Sequence, residues 1–232
     1  MNDGDEAGRP AEEWHRPAAA DPHAGQPVEI VGAGVEASRA VMIMLHGRNA
    51  EPRNILELVP AIRHPAFTFL APAASGRTWY PKSFLSETAQ NEPGLSSGLR
   101  SIDRLVREVV DLGVPRRRIV LLGFSQGGCL TAEYAVGHAV PYGGVVVLSG
   151  GLIGPPGTSW NRPGAFEHTP IFLGCSDTDS HIPRERVDQS AEVFRGMGEA
   201  ATERIYPAMG HQVNDDELAF TRAIMERVAA TD

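Results

Sequence analysis

The stretch GFSQGG, residues 123–128, decides the fold that this sequence predicts. It follows an apolar, β-branched run, IVLL at 119–122, and precedes residues 129–136, which have helical character. A serine between two glycines in a strand–turn–helix context is typical of a nucleophile elbow, which raises the serine hydroxyl above the sheet. In so tight a turn, a side chain at Gly123 or Gly127 would clash with neighbouring backbone. We therefore predict that Ser125 is a nucleophile beside a helix N-terminus, which stabilises negative charge.

Apolar runs alternate with helical patterns along the rest of the chain. The predicted strands, of which the first and last lie at sheet edges, are 28–31, 40–45, 67–71, 119–122, 144–149, 171–174 and 203–206. The predicted helices are 54–62, 95–112, 129–136, 184–197 and 215–229. This alternation predicts an α/β fold with a mostly parallel central sheet and helices on both faces. Residues 72–95 form a connection too long for a simple link, so we expect it to serve function.

Residues 1–27 differ in composition from the rest of the chain. They are rich in Pro and Ala, lack an apolar period, and carry six acidic residues against two arginines, half of the net charge of −8. Such a segment cannot bury enough apolar surface to offset the entropy lost on ordering. It also lacks the basic and apolar regions of a signal peptide, so we expect a cytoplasmic protein. We predict a disordered acidic tail over residues 1–27 and a catalytic domain over 28–232.

Composition and motif content argue against several classes of protein. A net charge of −8 disfavours binding to nucleic acid or to anionic membrane surfaces. No apolar run approaches the ~20 residues of a membrane span, so no stable membrane insertion is expected. There is no metal-ligand spacing and no glycine-rich dinucleotide or phosphate fingerprint, so we predict no metal and no cofactor. Cys129 and Cys175 are too few for a disulfide scaffold and are predicted to be reduced and buried.

A serine nucleophile needs a base at neutral pH. His211 is the best candidate, because it lies in a loop after the last predicted strand and the expected chain order is serine, acid, histidine. The acid should follow the strand that ends at Leu173, where Asp177 and Asp179 compete. Either would orient the imidazole, and the other would cap a turn. His181, beside them, is predicted to line the pocket or stabilise its loop rather than act as the base.

The tetrahedral intermediate of acyl transfer needs hydrogen-bond donors for its oxyanion. One predicted donor is the backbone N–H of Gln126, directly after the nucleophile. The other is the backbone N–H of Arg48, in the loop after the strand at 40–45. In that loop His46 is expected to act as a brace, and Gly47 allows close approach of the backbone. The Arg48 side chain has two interpretations, a group that binds a substrate anion and a solvated surface arginine.

Four spaced motifs of this chain resemble the phospholipase/carboxylesterase family of α/β-hydrolases. They are LHG at 45–47, GFSQGG at 123–128, DSHIP at 179–183 and MGH at 209–211. The family includes acyl-protein thioesterases, lysophospholipases and small bacterial carboxylesterases, and the resemblance runs from about residue 41 to residue 228. It implies an α/β-hydrolase fold with no large lid domain and with an acyl groove beside the serine.

The resemblance also bears on individual positions. Members carry Gly-x-x-Asp-Pro-x-Val-Pro around the acid, and the tighter match towards Pro183 favours Asp179, with Asp177 as the alternative. Members carry His-Gly-x-Gly-Asp where this chain has HGRNA at 46–50, so the second glycine and the aspartate are absent. An aromatic loop is implied next to the site. The candidates for the substrate pocket are Trp79, Tyr80, Phe84, Leu152 and Met209.

These observations predict a serine carboxylesterase that hydrolyses small to medium acyl esters through a Ser-His-Asp triad and an acyl-enzyme. The expected partner is a small-molecule ester. One alternative is an acyl-thioesterase or lysophospholipase, and another is a catalytically silent hydrolase-fold protein that binds a ligand. Dimers are common among the relatives that the resemblance implies, so both a monomer and a homodimer are compatible with the sequence.

Overall fold

A seven-stranded sheet forms the centre of the computed structural model, which describes residues 21–161, 164–198 and 201–230. Its strands are β1 (Val28–Val31), β2 (Ala40–Leu45), β3 (Phe67–Pro72), β4 (Ile119–Phe124), β5 (Gly144–Leu148), β6 (Ile171–Ser176) and β7 (Ala201–Tyr206). They lie in the order β1-β3-β2-β4-β5-β6-β7. β1 pairs antiparallel with β3, and the other neighbouring pairs are parallel. The predicted mostly parallel sheet, with its first and last strands at the edges, is confirmed.

Helices cover both faces of this sheet, as predicted. They are α1 (Pro52–Leu56), α2 (Val59–Ile62), α3 (Gly94–Asp111), α4 (Gln126–Gly137), α5 (Arg184–Gly196) and α6 (Asp215–Ala230). One apolar core joins the sheet to α3, α4 and α5, and a second core on the opposite face joins it to α1, α2 and α6. Successive residues of β2 alternate between the two cores, which explains why the whole strand is apolar.

The helix predicted at 54–62 is two short helices instead. Pro60 lacks the N–H that would continue α1, but it fits the first turn of a new helix. The long connection at 72–95 contains short 3₁₀ turns at Ser75–Arg77 and Thr88–Asn91. This connection packs around the carboxyl ends of the central strands, where ligands bind in sheets of this kind.

The start of the domain differs from the prediction. His23 was assigned to the disordered tail, yet it is 2% exposed and lies against Trp79. Its N–H donates to Ser97 Oγ at 2.9 Å, and its Nδ1 accepts the N–H of Ser75 at 3.0 Å. The prediction of disorder therefore does not hold for residues 21–27. The sequence did not indicate this, because polar anchors of this kind leave no apolar period. The remaining part of that prediction, residues 1–20, lies outside the described residues.

The described residues can be searched for membrane-spanning helices, metal-binding clusters and disulfides. Within them no helix is long and apolar enough to cross a membrane, and no group of His, Cys, Asp and Glu side chains is arranged to hold a metal ion. Cys129 and Cys175 are free and buried. Burial raises the pKa of each thiol to about 12, so neither is a reactive thiolate.

Candidate active site

Ser125 lies at the tip of the turn between β4 and α4. Its backbone angles are φ 57° and ψ −122°, a conformation that residues other than glycine rarely adopt. A Cβ atom on Gly127 would lie 2.2 Å from the carbonyl oxygen of Leu45, so a side chain there has no room. The N–H of Ser125 donates to the carbonyl of Leu148 at 2.9 Å and ties the turn to β5. The crowded turn that the GFSQGG stretch predicts is therefore present.

Three side chains from three strand ends meet above this turn. Nε2 of His211 lies 2.9 Å from Oγ of Ser125, and Nδ1 of His211 lies 2.7 Å from Oδ2 of Asp179. Ser125 follows β4, Asp179 follows β6 and His211 follows β7. Because these strands are parallel, their carboxyl ends lie at one edge of the sheet. The rings of Phe124 and His181 lie 4.9 Å and 4.7 Å from the His211 ring and support it. This is the geometry of a nucleophile, a base and an orienting acid.

The Asp179 side chain is fully buried beneath His211. Burial raises its pKa, but the hydrogen bond from His211 and the backbone N–H groups of His181 and Ile182 outweigh that effect. The pKa of Asp179 therefore lies below its usual value, and the carboxylate stays ionised at neutral pH. An ionised acceptor holds the proton of the imidazole on Nδ1, which leaves Nε2 free to accept the proton of Ser125.

Asp177, the alternative acid, fastens the backbone of the histidine loop. Its carboxylate accepts the N–H of Ala208 at 2.8 Å, and its own N–H donates to the carbonyl of Tyr206 at 3.0 Å. The structure thus brings Asp179, and not Asp177, to the imidazole of His211. Asp177 takes the turn-capping position that was predicted for whichever aspartate is not the acid.

A reciprocal cap at the start of α6 holds the other end of the histidine loop. The N–H of Asn214 donates to Oε2 of Glu217 at 2.8 Å, and the N–H of Glu217 donates to Oδ1 of Asn214 at 2.9 Å. The N–H of Gly210 also donates to Ser176 Oγ at 3.0 Å. Our reading of the sequence did not single out Asn214 and Glu217, although their spacing before the last helix is that of a capping box.

Glu217 makes the stability of the fold depend on pH. Burial raises its pKa to about 7, against 4.5 in an ordinary setting, so the folded state binds more protons between these values. The carboxyl therefore destabilises the fold as pH rises through that window. We expect Glu217→Gln, which stays neutral, to raise the free energy of unfolding by up to ~3 kcal/mol relative to wild type above about pH 7, with a smaller gain near about pH 5. Urea unfolding at both pH values measures this, and a gain independent of pH would contradict it.

The residues of the two predicted oxyanion donors, Arg48 and Gln126, line the same cavity as Ser125. Gln126 is the first residue of α4, so its N–H has no acceptor within the helix. Arg48 lies in the loop after β2, where a Cβ on Gly47 would be only 3.3 Å from the Cβ of Ser125. Among the described residues neither N–H has a hydrogen-bond acceptor. Asn49, at the position of the second glycine of the His-Gly-x-Gly-Asp pattern, has φ 62°, a left-handed conformation that asparagine tolerates.

The side chain of Gln126 joins the elbow to the pocket loop. Its Oε1 accepts the N–H of Trp79 at 2.9 Å and the hydroxyl of Thr78 at 3.2 Å. Its Nε2 donates to the carbonyl of Tyr80 at 2.8 Å. The residue whose backbone N–H is a predicted oxyanion donor therefore also fixes the aromatic loop with its amide.

His46 braces the loop that carries Arg48, as expected. Its Nε2 accepts the N–H of Ala74 at 3.1 Å, so the proton sits on Nδ1, which donates to the carbonyl of Gly47 at 2.8 Å. Its carbonyl accepts the indole N–H of Trp79 at 2.9 Å. Burial lowers the pKa of His46, so the ring stays neutral and keeps this arrangement.

A cavity of about 640 Å³ opens beside Ser125. Of the predicted pocket residues, Tyr80 and Phe84 line it, and His181 lines it as well. The wall also includes apolar side chains that our reading of the sequence did not single out, namely Ile55, Phe124 and Ile182. Ile55 lies in α1, Phe124 ends β4 and Ile182 lies in a loop, so only the folded chain shows that these distant residues face one cavity.

Three of the predicted pocket residues do not line this cavity. Trp79 and Leu152 are fully buried, and Trp79 lies behind the wall because its indole bonds to the His46 carbonyl. The sulfur of Met209 accepts a hydrogen bond from the Asn214 amide at 2.8 Å, which places it beside the cap of α6. The prediction that Trp79, Leu152 and Met209 line the pocket is therefore wrong, and these residues support the structure around it.

Comparison with known proteins shows the family of the chain. A family model described as phospholipase/carboxylesterase matches residues 27–228. A solved phospholipase/carboxylesterase from Dyadobacter fermentans is 33% identical with a TM-score of 0.83, over 87% of this chain and 97% of that one. Acyl-protein thioesterase 1 of Saccharomyces cerevisiae is 27% identical over 81% of this chain and 92% of its own length. For acyl-protein thioesterase 1 of Gibberella zeae the identity is 29%, over 60% of each chain. The chain therefore belongs to the phospholipase/carboxylesterase family.

Proposed function

We propose that this protein is a serine carboxylesterase that hydrolyses esters of small to medium acyl groups through an acyl-enzyme. The observation that carries the proposal is the unbroken hydrogen-bonded chain from Asp179 through His211 to Ser125, with distances of 2.7 Å and 2.9 Å. The cavity beside Ser125 supports it, because apolar side chains such as Phe84 and Ile182 offer a surface for an acyl chain.

The first half of the proposed reaction forms the acyl-enzyme. Nε2 of His211 takes the proton of Ser125 as Oγ attacks the ester carbonyl carbon. The carbonyl oxygen becomes an oxyanion, which the backbone N–H groups of Arg48 and Gln126 stabilise. The His211 imidazolium then protonates the leaving alcohol oxygen as the ester C–O bond breaks, and the acyl group remains on Ser125.

The second half releases the acid. A water molecule loses a proton to His211 and attacks the acyl carbon, which forms a second oxyanion in the same hole. The bond from carbon to Oγ breaks, His211 returns its proton to Ser125, and the carboxylic acid leaves. Asp179 stays ionised throughout and stabilises the imidazolium in both halves.

An acyl-thioesterase is the second candidate. The names of two relatives, both acyl-protein thioesterase 1, favour it. The same triad performs the reaction, because only the leaving atom changes from oxygen to sulfur. Initial rates on p-nitrophenyl esters and on thioesters of the same acyl groups, over a series of increasing acyl length, separate the two candidates. Rates that fall beyond short acyl esters support the carboxylesterase, and a preference for long acyl groups or thioesters favours the second candidate.

A fluorophosphonate probe tests whether the site is catalytic at all. We expect the probe to attach to Ser125, with the labelled peptide identified by mass spectrometry, because an activated serine attacks phosphorus as it attacks a carbonyl. A protein that neither reacts with the probe nor hydrolyses any ester or thioester would be a silent hydrolase-fold binder. That outcome would overturn the proposed function.

A further inference from the structure

The charge on the cavity wall is opposite to the charge of the protein. The chain has a net charge of −8 and 29 acidic residues, about one residue in eight. Within the described ranges, no Asp or Glu lines the cavity beside Ser125, whereas Arg48 and Lys82 do. The other polar side chains on the wall are amides, hydroxyls, imidazoles and a buried thiol, including Asn54 and Ser83. The fixed charges on the wall are therefore positive, although the protein as a whole is acidic.

Lys82 is the single lysine of the whole chain, since every other fixed cation is an arginine. Its backbone is held on both sides, because its N–H donates to Asn91 Oδ1 at 2.8 Å and its carbonyl accepts Arg48 Nη2 at 2.6 Å. The residue is exposed, and none of the described carboxylates forms an ion pair with it. A lysine ammonium is a compact, mobile charge that suits an anionic group of variable position.

The second cation, Arg48, is held at the same rim. Its guanidinium donates to the carbonyls of Pro81 and Lys82 at 2.9 Å and 2.6 Å, and it lies 5.9 Å from the centre of the Tyr80 ring. Neutral carbonyls orient the group but leave its charge uncompensated. The nearby carboxylate of Glu51 is engaged elsewhere, with Arg53 at 2.7 Å and with Arg77 at 3.7 Å.

From this arrangement we infer that the esters hydrolysed at this site carry an anionic oxygen group, which Lys82 and Arg48 bind at the rim of the cavity. This inference rests on the proposed function and narrows its substrate class. The anionic group belongs either to the acyl part or to the alcohol part of the ester. In either case its negative charge lies in the same cavity as the scissile bond. A positive wall also concentrates anionic substrates from solution, so the advantage lies in kcat/KM.

Two pairs of substrates test the inference and locate the anion. For the acyl part, the pair is mono-p-nitrophenyl glutarate and p-nitrophenyl valerate, which differ by a terminal carboxylate in place of a methyl group. For the alcohol part, the pair is 4-(valeryloxy)benzoate and its methyl ester. The measured quantity is the ratio of kcat/KM for the anionic ester to that for its neutral partner, after subtraction of the rate with Ser125→Ala. The two esters of a pair differ in intrinsic reactivity, but this difference is the same for every variant. It therefore cancels when the ratio is compared between variants.

Lys82→Gln is the decisive variant, and Arg39→Gln is its matched control. Arg39 is an exposed cation directly before β2, at the end of the sheet opposite the cavity. We expect Lys82→Gln to lower the ratio about fivefold for at least one pair, and Lys82→Glu to lower it further. Arg39→Gln leaves both ratios unchanged. Raising the salt from about 0.05 M to about 0.5 M lowers the wild-type ratio more than that of Lys82→Gln, in which Arg48 is the remaining cation.

The outcomes distinguish this inference from the proposed function. If Lys82→Gln changes neither ratio, or if Arg39→Gln changes them as much, the inference is overturned while the esterase proposal stands. If neither the anionic nor the neutral esters show hydrolysis that depends on Ser125, the proposed function itself has failed. If Lys82→Gln lowers the kcat/KM ratio for only one pair of substrates, the inference is supported, and that pair shows which part of the ester carries the anion.

Discussion

Ser125→Ala is expected to lower kcat for p-nitrophenyl butyrate by a factor of ~10⁴ or more. In the proposed reaction the serine supplies the atom that bonds to the acyl carbon, and Nε2 of His211, 2.9 Å from Oγ, takes its proton. Without the hydroxyl, water must attack directly, and only the oxyanion donors and the binding cavity still assist. The measurement is a steady-state rate for the purified variant, with its Tm compared with that of wild type.

Ser83→Ala is the matched control for this variant. Ser83 lines the same cavity, and its hydroxyl accepts the N–H of Leu85 at 3.2 Å, away from His211. We expect it to keep turnover within a few-fold of wild type. A Ser125→Ala protein that keeps more than about a tenth of the wild-type kcat would contradict an acyl-enzyme on this residue.

Asp179→Asn is expected to lower kcat by ~10⁴, because the amide removes the charge that fixes the imidazole tautomer and stabilises the imidazolium. The asparagine is nearly isosteric, and its oxygen still accepts the N–H groups of His181 and Ile182, at 2.8 Å and 3.1 Å from Oδ1. Since the pKa of Asp179 is lowered, the wild-type carboxylate is ionised at both about pH 6 and about pH 8. The loss should therefore be similar at both values.

Asp177→Asn separates the two candidate acids with the same chemical change two residues away. The oxygen of the new amide still accepts the N–H of Ala208, so the histidine loop keeps its anchor. We expect a change in kcat of no more than about threefold. A large loss in Asp177→Asn together with a small loss in Asp179→Asn would reverse the assignment of the acid.

The fold and the position of the nucleophile are predictable because both leave local signals. Continuous apolar runs mark strands buried on both faces, and Gly123 and Gly127 mark a turn without room for side chains. His211 follows from its place after the last strand, since parallel strands bring their carboxyl ends together. Pro60 also carries a local signal, because a proline inside a helical pattern indicates the break between α1 and α2.

Other features depend on contacts between distant residues and leave no such signal. Trp79 and Tyr80 are adjacent aromatic residues of one loop, yet Tyr80 lines the cavity and Trp79 is buried behind it by its bond to the His46 carbonyl. His23 packs against residues more than fifty positions away along the chain, so composition alone assigned it to the tail. In the same way, the cluster of positive charge at Lys82 and Arg48 exists only in the folded chain.

The amide of Gln126 limits how this enzyme can be adapted to new substrates. Because the proposed oxyanion donor residue also holds the backbone carbonyl of Tyr80 at 2.8 Å, a substitution that shifts the backbone at Tyr80 would also disturb the elbow. Phe84 and Ile182 also line the cavity, and among the described residues no hydrogen bond joins either of them to Gln126. Laboratory evolution for larger acyl groups should therefore accumulate substitutions at Phe84 and Ile182 and leave Tyr80 unchanged.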